Sequence, residues 1–76
     1  SKQRTAPEEA VYRFARASVV ADRDLPAGHV IEEADIWARR PGNGEIPGFE
    51  FDKVVGKKLI KAVSRNKQLQ WSDLVD

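Results

Sequence analysis

The sequence predicts a mainly-β domain with short helical turns, arranged as two related halves. Three observations carry that prediction. Apolar residues fall in short, often β-branched runs bounded by turn residues, not along extended helical faces. Five positions recur at one constant separation of 38 residues: Leu25, Gly28, Ile31, Asp35 and Ile36 against Val63, Asn66, Leu69, Asp73 and Leu74. Between the copies lies Arg39–Gly48, with two prolines and three glycines in ten residues, which neither a helix nor a central strand tolerates. Each copy reads as strand, turn, strand and one helical turn ending in Asp-Ile or Asp-Leu. Neither copy buries its apolar residues alone, so the two are expected to pack face to face about a pseudo-twofold axis.

Taken in order, Ser1–Pro7 is polar and reads as a linker. Ala10, Val11 and Phe14 fall at helical intervals behind Glu8 and Glu9, so a short helical lead-in over 8–14 is expected, opened by Thr5 or Pro7. Residues 1–15 are thus a linker with a lead-in, and 16–76 are the domain. Ala17–Ala21 is the first strand. Leu25-Pro26-Ala27-Gly28 has proline second and glycine fourth, the pattern of a type I turn. His29–Ile31 is extended, Glu32–Ile36 one helical turn, and Trp37–Arg39 extended again. Beyond the loop, Phe51, Val54 and Val55 have the spacing of one helix face over 49–55. Gly56 stands where a left-handed cap is wanted, and Lys57 and Lys58 lie at the negative end of the helix dipole. Leu59–Val63 is a strand, Arg65-Asn66 a turn, Gln68-Leu69 a short strand and Trp71–Leu74 a second helical turn. Gly28 and Asn66 are the residue types that best tolerate positive φ, so the repeat matches in conformation as well as in hydrophobicity.

The totals narrow the function. Seventy-six residues make one small domain, too cramped for an enzyme with its own substrate cleft and better suited to a module of something larger. Thirteen Lys and Arg against twelve Asp and Glu leave a net charge of +1, which gives no electrostatic case for a nucleic-acid or membrane-surface partner. With no cysteine there is neither a disulfide nor a thiolate metal site. No apolar run is long enough to span a bilayer and no signal-peptide pattern is present, so a cytoplasmic location is expected.

Few residues offer chemistry. No nucleophile stands with a base, and His29, the one histidine, reads as a surface residue at a strand start. The scattered carboxylates mostly sit beside basic residues and read as solvated faces. Gly42-x-Gly44 lacks the strand-to-helix context of a dinucleotide site. Trp37 and Trp71, each with polar neighbours, suit core packing and interface anchoring equally. No catalytic or metal-ligating residue is assigned. Arg40 differs in kind. Pro41 biases it toward extended geometry, the glycines behind it allow close approach to another surface, and a guanidinium so held offers a fork of donors to a carbonyl or carboxylate. By residue physics alone it reads first as an ordinary exposed arginine.

Ser18-Val19-Val20-Ala21, Leu25-Pro26-Ala27-Gly28-His29-Val30-Ile31, Arg40-Pro41-Gly42-Asn43-Gly44, Val55-Gly56-Lys57-Lys58-Leu59 and Trp71-Ser72-Asp73-Leu74 come in an order that resembles the antifreeze-like (SAF) domain. That domain forms the C-terminus of bacterial sialic acid synthases and of their legionaminic and pseudaminic acid relatives. The resemblance spans 16–76 and implies a β-clip fold with internal pseudo-twofold symmetry. It implies a role as well. Those synthases condense phosphoenolpyruvate with an N-acylated sugar such as N-acetylmannosamine in a TIM barrel holding a divalent metal, manganese or magnesium. The antifreeze-like domain of one subunit covers the barrel mouth of its homodimer partner. Arg40 matches the arginine that contacts the sugar's N-acyl group; the family's metal ligands lie in the barrel and none maps here. Related domains serve pilus and flagellum assembly as binding modules, which stays open as the alternative. Type III antifreeze proteins share the fold, but they carry uncharged side chains where this chain has Arg23 and Glu32, so ice binding is not expected. Which nonulosonic acid a parent enzyme makes is not legible in these residues.

Overall fold

The computed structural model describes residues 16–76; the lead-in expected over 1–15 lies outside the described residues. Four short strands form the frame: β1 (Ser18–Ala21), β2 (Ile36–Arg39), β3 (Lys58–Leu59) and β4 (Leu74–Val75). Single 3-10 turns at Glu33–Asp35 and Trp71–Asp73 precede β2 and β4, and a third at Gly48–Glu50 runs into one α-helical turn, Phe51–Val54.

The repeat written in the sequence is the symmetry of the backbone. β1 pairs antiparallel with β2, Ala21 opposite Ile36 and Val20 opposite Trp37; 38 residues on, Leu59 stands opposite Leu74 and Lys58 opposite Val75 in the β3–β4 pair. Of the isolated bridges, Val20–Gln68 maps onto Lys58–Val30 in the same way, and Leu25–Val63 maps onto itself. That last pair therefore marks the axis. Hydrogen bonds between the halves keep the same rule. Asn66 N–H donates to Ala21 O (2.7 Å) as Gly28 N–H does to Leu59 O (2.8 Å), and Leu69 N–H donates to Val19 O (3.0 Å) as Ile31 N–H does to Lys57 O (2.8 Å). Each first strand is thus flanked on one side by its own half and on the other by its counterpart. Neither half satisfies its backbone alone.

The core lies between the halves. Leu25, Ile31 and Ile36 meet Val63, Leu69 and Leu74 there, with Val19, Ile46, Phe51, Val54 and Leu59 filling the remainder. Burying each such side chain contributes about 1.5–3 kcal/mol. Trp37 and Trp71 are half-buried and pack against this core, Trp37 edge-on to Phe51 with ring centroids 5.7 Å apart. Among the described residues no helix is long and apolar enough to cross a membrane.

Several local expectations are corrected. The turn expected as type I over Leu25–Gly28 forms one residue later, closed by His29 N–H donating to Pro26 O (3.2 Å), with Gly28 third at φ 85°. Positive φ at the third position is the type II geometry. The second half repeats it, with Lys67 N–H on Ser64 O (3.0 Å) and Asn66 at φ 72°. The strand expected over Leu59–Val63 ends at Leu59, because Ile60 N–H is drawn to Asp73 O (2.9 Å) and the chain bends before pairing again at Val63. The helix expected over 49–55 is a 3-10 turn followed by one α-turn, since Val55 is already extended (φ −61°, ψ 131°). Gly56 does take positive φ (94°), but as the third residue of another type II turn, closed by Lys57 N–H on Val54 O (3.1 Å). Lys57 pairs with the Asp76 carboxylate and not with a helix end.

Candidate functional site

β2 delivers two adjacent arginines with different fates. Arg39 ends the strand opposite Ser18, and its Nη2 donates to Asp22 Oδ1 (2.6 Å). Arg40 opens the loop, is exposed, and has no hydrogen-bond or ion-pair partner among the described residues. Two side chains with the same charge are thus separated by one residue into a structural one and an available one.

The loop behind Arg40 is fastened at several points. The Arg40–Pro41 peptide is cis. Ser18, wholly buried in β1, donates its hydroxyl to Pro41 O (3.0 Å) and accepts from Gly44 N–H (2.8 Å). Gln68, from the second half, donates through Nε2 to Asn43 Oδ1 (2.8 Å) and to Pro41 O (3.3 Å). Glu45 Oε2 accepts from Trp71 N–H (2.9 Å), and Ile46 is buried in the core while its carbonyl accepts from Val19 N–H (2.9 Å). Glycine is required at two positions by contact. A Cβ on Gly42 would lie 2.8 Å from Arg16 C, and one on Gly44 would lie 2.7 Å from Ser18 Cβ. The loop lies flat on the start of β1, too close for any side chain in between.

A second cluster surrounds Asp35. Its carboxylate is wholly buried and saturated: Oδ2 accepts from Glu32 N–H (2.8 Å) and from His29 Nε2 (2.6 Å), and Oδ1 accepts from Arg23 Nε (2.8 Å) and Nη2. Burial pushes this carboxyl upward, but the hydrogen bonds from the Glu32 amide, His29 and Arg23 outweigh it and hold the group below the usual carboxylate range. An ionised acceptor requires the proton of the His29 pair to sit on Nε2. In return, the hydrogen bond to Asp35 and its charge raise the Arg23 guanidinium further above its usual value. Asp73, the counterpart, is equally buried; it accepts from Gln70 N–H (3.0 Å) and lies 3.3 Å from Lys61 Nζ. Both aspartates cap the 3-10 turn that contains them. They are not solvated faces, as sequence reasoning had them, and His29 is half-buried against one of them rather than free at the surface.

Arg40, the single residue assigned a binding role from sequence, therefore stands exposed at the start of a loop held by several hydrogen bonds. Sequence reasoning missed the parts that hold it, Ser18 and Gln68. The repeat contained the signal: their counterparts are Gly56 and Val30, so the polar side chains appear only on the side that carries the loop. Among the described residues no group of three or more His, Cys, Asp or Glu is placed to hold a metal ion.

Comparison with known proteins sets this geometry in context. The SAF domain family matches residues 16–75. No curated protein matches the chain. Among solved structures, the antifreeze-protein-like domain of human N-acetylneuraminic acid phosphate synthase superposes with a TM-score of 0.75 at 20% identity, covering 83% of this chain and 80% of that one. The flagellar protein FlgA of Thermotoga maritima reaches 0.68 at 31% identity over 80% of this chain. The spore coat polysaccharide biosynthesis protein spsE of Bacillus subtilis gives 0.68 at 20% identity over 99% of it. This chain spans 25% and 22% of those two proteins. At 20% identity the likeness to the two biosynthetic proteins establishes a shared fold.

Proposed function

The chain belongs to the SAF domain family, and from that premise we propose that it is the substrate-capping C-terminal domain of a cytoplasmic sialic acid synthase-type enzyme. In this reading it lies over the mouth of a TIM barrel in the partner subunit of a homodimer. It performs no chemistry itself. The barrel condenses phosphoenolpyruvate with an N-acylated sugar such as N-acetylmannosamine and holds the divalent metal, for which the described residues here supply no cradle. One observation carries the proposal: an exposed guanidinium without a partner among the described residues, on a loop fastened from both halves, beside a second arginine that is already neutralised. Closing the cap excludes water, and the Arg40 fork donates to the acyl carbonyl where solvent competes poorly.

Steady-state kinetics of the full-length protein test it. Charged hydrogen bonds of this kind contribute roughly 1.5–3 kcal/mol, so Arg40→Ala lowers kcat/KM for the sugar by about 10- to 150-fold. Arg40→Lys restores little, because an ammonium lacks the planar fork. The KM for phosphoenolpyruvate and the melting temperature stay near wild type. Arg39→Ala, with its ion pair to Asp22 lost, changes sugar kinetics a few-fold at most; an equal loss in both variants would show that only loop charge matters.

A second reading is favoured by the 31% identity to a flagellar protein: a binding module of an assembly apparatus, with no catalytic partner. Phosphoenolpyruvate-dependent release of phosphate by the full-length protein, given N-acetylmannosamine or a related sugar, separates the two. Its absence with every N-acylated sugar tried would favour the binding module.

A further inference from the structure

We propose that Ser18 and Gln68 are positioning residues for Arg40, two struts that hold the Pro41–Gly44 turn against β1 so that the guanidinium leaves the domain in one direction. The proposal rests on the reading of Arg40 as the sugar-binding residue.

Ser18 is wholly buried in a strand whose other members, Val19, Val20 and Ala21, are apolar core. A buried hydroxyl is costly there unless satisfied. Both of its hydrogen bonds run to the loop, donated to Pro41 O at 3.0 Å and accepted from Gly44 N–H at 2.8 Å, and none runs to its own strand. Packing alone would be served by alanine. Gln68 reaches the same turn from the other half, gripping Pro41 O and Asn43 Oδ1.

The repeat supplies an independent argument. The counterpart of Ser18 is Gly56 and that of Gln68 is Val30, which is 52% exposed. The scaffold closes on both sides, but the hydroxyl and the amide occur only where the loop must be held. Gly42 and Gly44 complete the device by allowing contact with Arg16 and Ser18 at distances a Cβ would forbid. Through these contacts the position of Arg40 depends on both halves at once.

The test combines kinetics with amide exchange. In the full-length protein, Ser18→Ala lowers kcat/KM for the sugar by about 3- to 30-fold and Gln68→Ala by about 2- to 10-fold, with the phosphoenolpyruvate KM unchanged. A residue that acts through Arg40 loses its effect once Arg40 is gone, so in an Arg40→Ala background both losses shrink to within about twofold. Losses of the same size in both backgrounds overturn the proposal. In the 76-residue chain, Ser18→Ala accelerates exchange of the Gly44 amide by about tenfold or more, while the Ile31 and Leu69 amides that join the halves keep their rates. An unchanged Gly44 amide overturns it equally. Should Arg40→Ala itself leave the sugar untouched, the sugar-binding reading falls, and the Gly44 amide alone decides whether Ser18 holds the loop. Gln68→Ala, at a half-buried site away from the core, carries the cycle if Ser18→Ala does not fold.

Discussion

The two halves of the domain share a backbone and differ in what is laid upon it. Where both need a core residue they agree: Leu25 with Val63, Ile31 with Leu69, Ile36 with Leu74. Where the outer face is concerned they diverge. Val20, paired between Trp37 and Gln68, is buried, whereas its counterpart Lys58 is exposed between Val30 and Val75, which are 52% and 44% exposed. The basic side chains around the caps differ too, Arg23 and His29 at Asp35 against Lys61 at Asp73. A pseudo-symmetric frame thus needs few residues to specify it, and function is read from the positions at which the copies part.

The two capping aspartates offer the largest effect by which to sharpen that contrast. Asp35→Ala strips the Glu32 amide, His29 and Arg23 of one shared acceptor, and all three of these hydrogen bonds are partly buried. Loss of a cap together with orphaned donors costs about 2–4 kcal/mol. For a domain of this size, that lowers the melting temperature by roughly 10–25 °C. Asp73→Ala removes a cap and one longer ion pair and costs about 1–3 kcal/mol. Thermal unfolding of both variants checks the order. Equal losses would mean that the flanking side chains add nothing and that both aspartates act as caps alone.

The same two residues mark the limit of what the sequence disclosed. The repeat, β1, the positive φ of Gly28, Gly56 and Asn66, and both 3-10 turns ending in aspartate were legible, because periodicity and turn chemistry are local. The burial of Asp35 was not. Its partners Arg23 and His29 lie 12 and 6 residues away and meet it only once the first half has folded back on itself. Pro26 misled the turn assignment, since a proline reads as a second residue until the glycine's φ is known. The bend at Ile60 was hidden because an apolar run looks the same whether it runs straight or turns toward Asp73. At the candidate site Arg40 was named through family resemblance, while Ser18 passed as strand filler because its partners are backbone atoms of a distant loop.

Acid titration probes the contrast more gently, leaving every side chain in place. Despite burial, the hydrogen bonds to Asp35 hold its folded-state carboxyl below the usual range, so Asp35 binds a proton more readily in the unfolded chain. Its stabilisation is therefore fully present above the unfolded value, about 3.9, and is lost as pH falls through the lower folded value. Asp76 is lowered as well, by its hydrogen bond and charge attraction to Lys57, but it lies fully exposed. Urea unfolding between pH 2 and 7 is expected to show an acid limb beginning near pH 4. Asp35→Asn should flatten that limb at any ionic strength. The part due to Asp76 should fade in about 0.5 M salt, because exposed pairs are screened and buried ones far less so. A limb abolished by salt in the wild type would assign the acid sensitivity to the surface and not to the cap.

The smallest effect tests whether the halves match in conformation at the turns, residue for residue. Gly28 and Asn66 occupy equivalent third positions with φ of 85° and 72°, yet one has a side chain and the other does not. A Cβ built on Gly28 meets nothing within 4 Å, so any cost of substitution there is conformational and not steric crowding. Gly28→Ala forces an ordinary residue into the left-handed region and costs about 1 kcal/mol, a fall of roughly 4–8 °C. Gly28→Asn, the residue its counterpart already uses, should cost less than half of that, since asparagine tolerates this region. Asn66→Gly should move stability by no more than about 0.5 kcal/mol, because relief of the left-handed strain is offset by the greater freedom of the unfolded chain. The double exchange, Gly28→Asn with Asn66→Gly, should then lie near wild type if the two turns act independently. If Gly28→Asn costs as much as Gly28→Ala, the equivalence stops at φ. Some other contact made by the asparagine at position 66 would then have to account for its presence in one half alone.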